Sequence, residues 1–151
     1  MAAKFYFRPS FPEMPANRAA VSAAVSRLAE QSHVVLLNTG LEIDDHLDVD
    51  PGVEGRVTWL LDDVPPSQNL HVQSLAISRS SAFIGTYGGL SYLAPMYGVR
   101  SLAYYSEPQH FLTSHLDFAR RAASLTGGSL MTVSTKEGPL FEILGSSEST
   151  A

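Results

Sequence analysis

Two adjacent glycines, Gly88 and Gly89, follow an apolar run that begins at Ala82 and precede a segment that predicts a short helix. At the carboxyl edge of a parallel sheet, such a turn exposes backbone N–H groups and the positive end of a helix dipole, which together favour an anion such as phosphate. No side chain of the loop is an obvious nucleophile or base. The pattern therefore predicts nucleotide or nucleotide-sugar binding without supplying a reaction. The competing interpretation is a tight structural turn that needs a positive φ.

Other residues with chemical potential form weaker patterns. His110, His115 and Asp117 are competent metal ligands, but their spacing matches no strong motif, so capping and surface roles are favoured. The acidic segment 44–50 lacks the glycine and the terminal glutamate of an EF-hand loop. There is no Gly-x-Ser-x-Gly elbow and no cysteine. We therefore expect neither a metal site nor a serine or cysteine nucleophile.

The elements that would position the glycine turn alternate along the chain between short apolar runs and helical spacing, as in parallel α/β proteins. We expect an α/β, Rossmann-like three-layer sandwich around a central, mostly parallel sheet of about five to six strands. Strands are predicted at residues 4–8, 34–37, 56–61, 82–86, 99–105 and 130–133. Helices are predicted at 17–31, 67–78, from 90 and at 115–125, the last of them ended by Gly127 and Gly128.

Composition limits the partners. The 151 residues carry a net charge of −5 and ten scattered basic side chains, which argues against a nucleic-acid surface. We expect one domain over residues 1–144 and a disordered tail over 145–151. No run of eighteen apolar residues and no signal-peptide pattern is present, so the expectation is a cytoplasmic protein without a membrane span.

Three stretches carry a resemblance to a known family. They are residues 83–89, with a strand ending in Ile-Gly before the glycine turn; residues 92–99, with Leu-Ala and a closing Gly-Val; and residues 103–108, which lead to a proline loop. In order and spacing, the segment 69–123 resembles the C-terminal half of GT-B glycosyltransferases, and the heptosyltransferase-like group in particular. The resemblance implies half of a GT-B fold that binds a nucleotide-sugar donor by its diphosphate, usually without a divalent metal or other cofactor.

The matching positions define the site that the resemblance implies. By matching position, the residues that would line the diphosphate are Thr86, Tyr87, Gly88, Gly89 and Ser91, and Ser106 in the proline loop is a further donor-binding candidate. Arg8, at the end of the first predicted strand, is the candidate cation. Residue by residue, the alternatives remain a solvated strand-end charge for Arg8 and packing or capping roles for Tyr87 and Ser91. Pro95 lacks an N–H group, which predicts a kinked helix after the turn.

A GT-B enzyme places its acceptor site, and usually its catalytic base, on an N-terminal domain that this chain lacks. We therefore assign no catalytic residue and expect an acceptor-binding domain or partner chain as the partner. Apolar surface would then be exposed at Phe11, Met14, Phe111 and Leu112. The alternative function is a free-standing, non-catalytic nucleotide- or sugar-binding or interaction module of flavodoxin-like architecture.

Overall fold

The structure is a computed structural model that describes residues 1–38, 47–60 and 64–136. Its strands, in chain order, are β1 (Ala2–Lys4), β2 (Tyr6–Phe7), β3 (Val34–Leu36), β4 (Leu47–Asp48), β5 (Val57–Trp59), β6 (Ala82–Thr86), β7 (Arg100–Tyr105) and β8 (Ser129–Ser134). Its α-helices are α1 (Pro15–Gln31), α2 (Asn69–Ser78), α3 (Gly89–Met96) and α4 (Thr113–Thr126), and short 3-10 turns span Pro66–Gln68 and Pro108–His110.

Six strands form one parallel sheet in the order β5-β3-β1-β6-β7-β8. Taken by their position along the chain, these strands follow the order 3-2-1-4-5-6 of Rossmann folds, which confirms the predicted fold class. The order differs from the flavodoxin-like order 2-1-3-4-5, so that part of the alternative is wrong. The direction in which strands are added reverses between β1 and β6. A crevice at such a reversal, outside the carboxyl ends of the strands, is where open α/β sheets bind ligands.

Helices cover both faces of the sheet. Val21, Val25 and Leu28 of α1 are buried on one face, among side chains that include Ala3 of β1. The opposite face carries α2, α3 and α4, with Ile77 of α2 buried against it. Adjacent residues of each strand point to opposite faces of the sheet. The two helical layers therefore exclude water from both of these faces.

The first predicted strand, 4–8, differs from the observed one. Strand β1 ends at Lys4, and the chain continues as β2, which pairs antiparallel with β4 instead of with the main sheet. Arg8 and Phe11 then exchange two backbone hydrogen bonds that close a tight turn. This turn buries Phe11 completely, so the expectation of an exposed Phe11 is wrong.

On helix α2, Leu70 is 65% exposed, whereas Gln73 and Ile77 are buried. Helix α4 ends as predicted, with Gly127 in the left-handed conformation at φ 77°. Among the described residues, no helix is long and apolar enough to cross a membrane. The predicted tail and part of the acidic segment 44–50 lie outside the described residues.

Candidate functional site

The chain leaving β1 and the chain leaving β6 meet at the point where the strand order reverses. Nη1 of Arg8 donates a hydrogen bond of 3.0 Å to the carbonyl oxygen of Tyr87, 79 residues further along the chain. The Arg8 guanidinium also lies 5.9 Å from the centroid of the Tyr87 ring. Two of the predicted site segments are therefore in direct contact. We call the space above them the switch-point crevice, bordered by Tyr6, Arg8, Gly88 and Gly89.

Gly88 is required by the close approach of two side chains. Its φ of 153° is one that residues with a Cβ rarely adopt. A Cβ at this position would also overlap the hydroxyl of Tyr6 and Nη1 of Arg8. At Gly89, by contrast, a Cβ would meet nothing within 4 Å. The two glycines thus differ. The absence of a side chain at Gly88 leaves room for Tyr6 and Arg8, whereas Gly89 leaves open space at the start of α3.

Thr86 holds Tyr6 in place through both backbone groups. Its hydroxyl accepts a hydrogen bond from the Tyr6 N–H at 3.1 Å and donates one to the Tyr6 carbonyl at 2.9 Å. Thr86 is only 1% exposed. The Thr86 hydroxyl is therefore engaged in joining β6 to the chain after β1, and its contribution to a site is to position Tyr6.

Ser91 caps the turn that begins α3. Its hydroxyl oxygen accepts the Gly88 N–H at 3.0 Å, and the hydroxyl lies 2.7 Å from the Gly88 carbonyl, to which it donates. The Ser91 carbonyl, which has no N–H donor at Pro95, instead accepts a hydrogen bond from the Ser101 hydroxyl at 2.8 Å. Ser91 is fully buried and fixes the start of α3 at the crevice.

The Tyr87 side chain packs towards α4. Its hydroxyl hydrogen-bonds to the backbone N–H of Leu112 at 3.2 Å. Its ring stacks on Phe111 at a centroid distance of 4.1 Å and meets Tyr92 edge-on at 5.4 Å. The Tyr87 backbone carbonyl accepts the hydrogen bond from Arg8, and the Tyr87 ring lies beside the guanidinium, so Tyr87 contributes to the site by orienting that cation.

Ser106 lies in a separate polar cluster at the end of β7. Its hydroxyl accepts a hydrogen bond from the Asn17 amide at 3.1 Å, and its N–H donates to the Ser10 carbonyl at 3.0 Å. Glu107 donates a second N–H to the same carbonyl. These bonds tie the loop after β1 to the loop after β7. Within the described part of the chain, Ser106 is the one predicted site residue that the structure places in another group.

Arg8 carries a charge that no carboxylate neutralises within the described residues. The ion pairs found there are Lys4–Asp48, Arg18–Glu13, Arg27–Glu30 and Lys136–Glu107. The Nε atom of Arg8 is buried and has no hydrogen-bond partner. A buried guanidinium N–H without an acceptor is costly, and an anion would satisfy it. This makes Arg8 the strongest single indication of an anionic ligand.

Tyr6 borders the crevice, although the sequence pattern alone does not single it out. Burial raises the pKa of the Tyr6 phenol, while Arg8 and a hydrogen bond from the Gly89 backbone oppose that rise. Tyr92 lies one turn into α3, and burial together with the neighbouring Tyr87 hydroxyl raises its pKa. The position of Tyr6 two residues beyond β1, at the carboxyl edge of the sheet, is the feature that could have identified it as a site residue.

Two other candidate sites have less support. Among residues 1–38, 47–60 and 64–136, no group of three or more His, Asp or Glu side chains could hold a metal ion, so His110, His115 and Asp117 do not form such a group. An open groove of about 510 Å³ lies near the carboxyl end of α1 and the loop before β5; it is lined by Ser26, Ala29, Glu30, Gly52, Val53, Glu54, Gly55 and Arg56. Because β5 begins at Val57, this groove lies at the amino edge of the sheet, away from the switch-point crevice.

Comparison of the chain with known proteins finds no matching family model, no matching curated protein and no matching solved structure. The functional interpretation therefore depends on the sheet topology and on the contacts around Arg8 and Gly88.

Proposed function

We propose that this chain is the donor-binding domain of a glycosyltransferase and that it holds a nucleoside-diphosphate sugar by its diphosphate, without a divalent metal, in the switch-point crevice. The observation that carries the proposal is the convergence of Arg8 with the Gly88–Gly89 turn between β1 and β6. Arg8 supplies the charge, and α3 supplies the positive end of a helix dipole. Both kinds of group favour a diphosphate, and here they lie at one point.

The proposed chemistry follows from charge development. When the bond between the sugar and the diphosphate breaks, negative charge accumulates on the leaving nucleoside diphosphate. A fixed guanidinium and oriented backbone dipoles stabilise that charge without reorganising. Arg8 suits this role because its side chain is held by the Tyr87 carbonyl and has no carboxylate partner among the described residues.

The acceptor site and the catalytic base belong to an acceptor-binding domain or partner chain, and we assign neither to this chain. Leu112, which follows the turn of Pro108–His110, is 52% exposed and remains as apolar surface for such a partner. Phe111 is partly buried because it stacks on Tyr87. The exposed apolar surface at this edge is therefore smaller than the sequence predicts.

A second candidate function is a non-catalytic nucleotide- or sugar-binding or interaction module. The observation that favours it is at Gly88, where Tyr6 and Arg8 already account for the absence of a side chain. On this account, the glycine serves packing between two loops, and the crevice needs no diphosphate.

Calorimetric titration with UDP, GDP and ADP, each with and without EDTA, tests the proposal. We expect one of these nucleotides to bind and EDTA to leave its affinity unchanged. Arg8→Gln should weaken that binding about tenfold to a hundredfold, the cost of losing a charge-assisted contact. Arg100→Gln is the matched control, because Arg100 is exposed at the opposite end of the strands, where β7 begins. Equal affinity in wild type and Arg8→Gln would contradict the proposal, and binding by none of the nucleotides would favour the interaction module.

A further inference from the structure

The Tyr6 side chain occupies the place over Gly88 that a bound phosphate would need. Its hydroxyl lies so close to Gly88 that a Cβ there would overlap it, and so does Nη1 of Arg8. Tyr6 is only 6% exposed, so its side chain is buried where it borders the crevice.

The donors that the proposed function assigns to a phosphate oxygen are already in use. The Gly88 N–H is bonded to the Ser91 hydroxyl. Nη1 of Arg8 donates to the Tyr87 carbonyl and lies, with the Tyr6 hydroxyl, beside Gly88. Burial raises the pKa of the Tyr6 phenol, and Arg8 and a hydrogen bond from the Gly89 backbone oppose that rise. The phenolic oxygen thus lies beside a guanidinium and the start of a helix, which are the two kinds of group that a phosphate oxygen would meet there.

We propose that the Tyr6 side chain is a built-in occupant of the switch-point crevice and that an incoming phosphate must displace its hydroxyl before Gly89 and Arg8 can bind the ligand. The inference rests on the proposed function, because it takes the ligand to be a phosphate. Displacement is confined to the side chain. The Tyr6 backbone is fixed by Thr86 and by pairing with Asp48 of β4.

Titration of the full chain with inorganic pyrophosphate, followed by calorimetry, tests this inference. Tyr6→Phe removes the competing oxygen and keeps the ring, so we expect pyrophosphate to bind about threefold to tenfold more tightly than to wild type, the range of one hydrogen bond. Tyr97→Phe is the control, since Tyr97 follows α3 and is half-exposed outside the crevice; its affinity should match that of wild type.

The outcomes separate the two proposals. Wild-type binding with equal or weaker binding by Tyr6→Phe would overturn the occupant role and leave the proposed function in place. Binding by neither protein would overturn both. A readout that does not depend on the variant comes from NMR of wild type: saturation with pyrophosphate should shift the Tyr6 ring resonances and the Gly89 amide together. Unchanged Tyr6 resonances in the saturated protein would overturn the occupant role.

Discussion

Arg8 and Tyr87, which are 79 residues apart in the chain, are joined by a hydrogen bond of 3.0 Å from Nη1 to the carbonyl oxygen. The bond closes the gap between the segments that leave β1 and β6, at the point where the order of the sheet reverses. It also holds a guanidinium beside the start of α3, where an anion is favoured. The position of this cation follows from the topology of the sheet, and the following predictions test the contacts around it.

Gly88→Ala should destabilise the fold, whereas Gly89→Ala should not disturb it. At position 88, a methyl group would overlap Tyr6 and Arg8 and would require a strained φ of 153°, with an expected cost of about 1–3 kcal/mol in the free energy of unfolding. At position 89, a methyl group meets open space. Urea unfolding of both variants measures the difference. Equal stability of the two variants would show that the crevice relaxes easily around residue 88.

A valine at position 89 separates binding from folding. A Cβ at Gly89 meets no neighbour within 4 Å, so Gly89→Val should fold, yet its side chain would occupy the open space at the start of α3. We expect diphosphate binding to be abolished while the far-UV circular dichroism is unchanged. His110→Ala, in the turn before α4, should leave binding intact. Unchanged affinity in Gly89→Val would contradict the site assignment.

The hydroxyl of Ser101 replaces the helix hydrogen bond that Pro95 cannot make. It donates to the Ser91 carbonyl at 2.8 Å. Ser101→Ala should therefore cost about 0.5–1.5 kcal/mol of unfolding free energy. In a Pro95→Ala background, the backbone at position 95 regains an N–H for the same carbonyl, so the cost of Ser101→Ala should shrink. A double-mutant cycle measured by chemical denaturation gives the coupling, and purely additive effects would refute this account of the Ser91 carbonyl.

Stability at alkaline pH should depend on Tyr104, which is 1% exposed and packs against Phe5. Burial raises the pKa of Tyr104 above its ordinary value of 10.0. Because the folded pKa exceeds the unfolded one, the stabilising contribution is fully present below pH 10 and is lost as pH rises towards the folded pKa. Above pH 10, each such group lowers the free energy of unfolding by up to about 1.4 kcal/mol per pH unit.

Tyr104→Phe should therefore lose less stability than wild type between pH 10 and pH 11 in urea titrations. The half-exposed Tyr97 provides the comparison, since Tyr97→Phe should follow the wild-type profile. Identical alkaline slopes for wild type and Tyr104→Phe would show that the phenol gains water when it ionises.

The apolar patterns predict where the strands of this fold lie better than they predict which strands pair with each other. The continuous runs that form β6 and β7 are buried on both faces, so both strands are recognisable from composition and from the turn between them. The end of β1 is not recognisable from composition, because the apolar run continues through Phe5 into β2. Only the pairing of Tyr6 with Asp48 shows that the chain has left the main sheet.

Only the local features of the candidate site can be predicted from the sequence. The glycine turn is local and can be recognised in one stretch of chain. The close approach of Tyr6 to Gly88 depends on the register of β1 against β6, where Lys4 pairs with Gly85, and no local pattern fixes a register over that separation. Ser106 shows the converse. It has a suitable side chain at a strand end, but its hydrogen bonds go to Asn17 and Ser10.

The central claim is that the switch-point crevice binds a nucleoside diphosphate, and backbone NMR tests it most directly. The ¹⁵N-labelled chain is titrated with UDP, GDP and ADP while amide shifts are followed at Arg8, Gly88, Gly89 and, as the distant reference, Gly52 and Gly55 in the groove near α1. The account predicts saturable shifts at the first three amides and none at the reference glycines. Shifts confined to the reference glycines, or no saturable shift at Gly88 and Gly89 with any of the nucleotides, would contradict it.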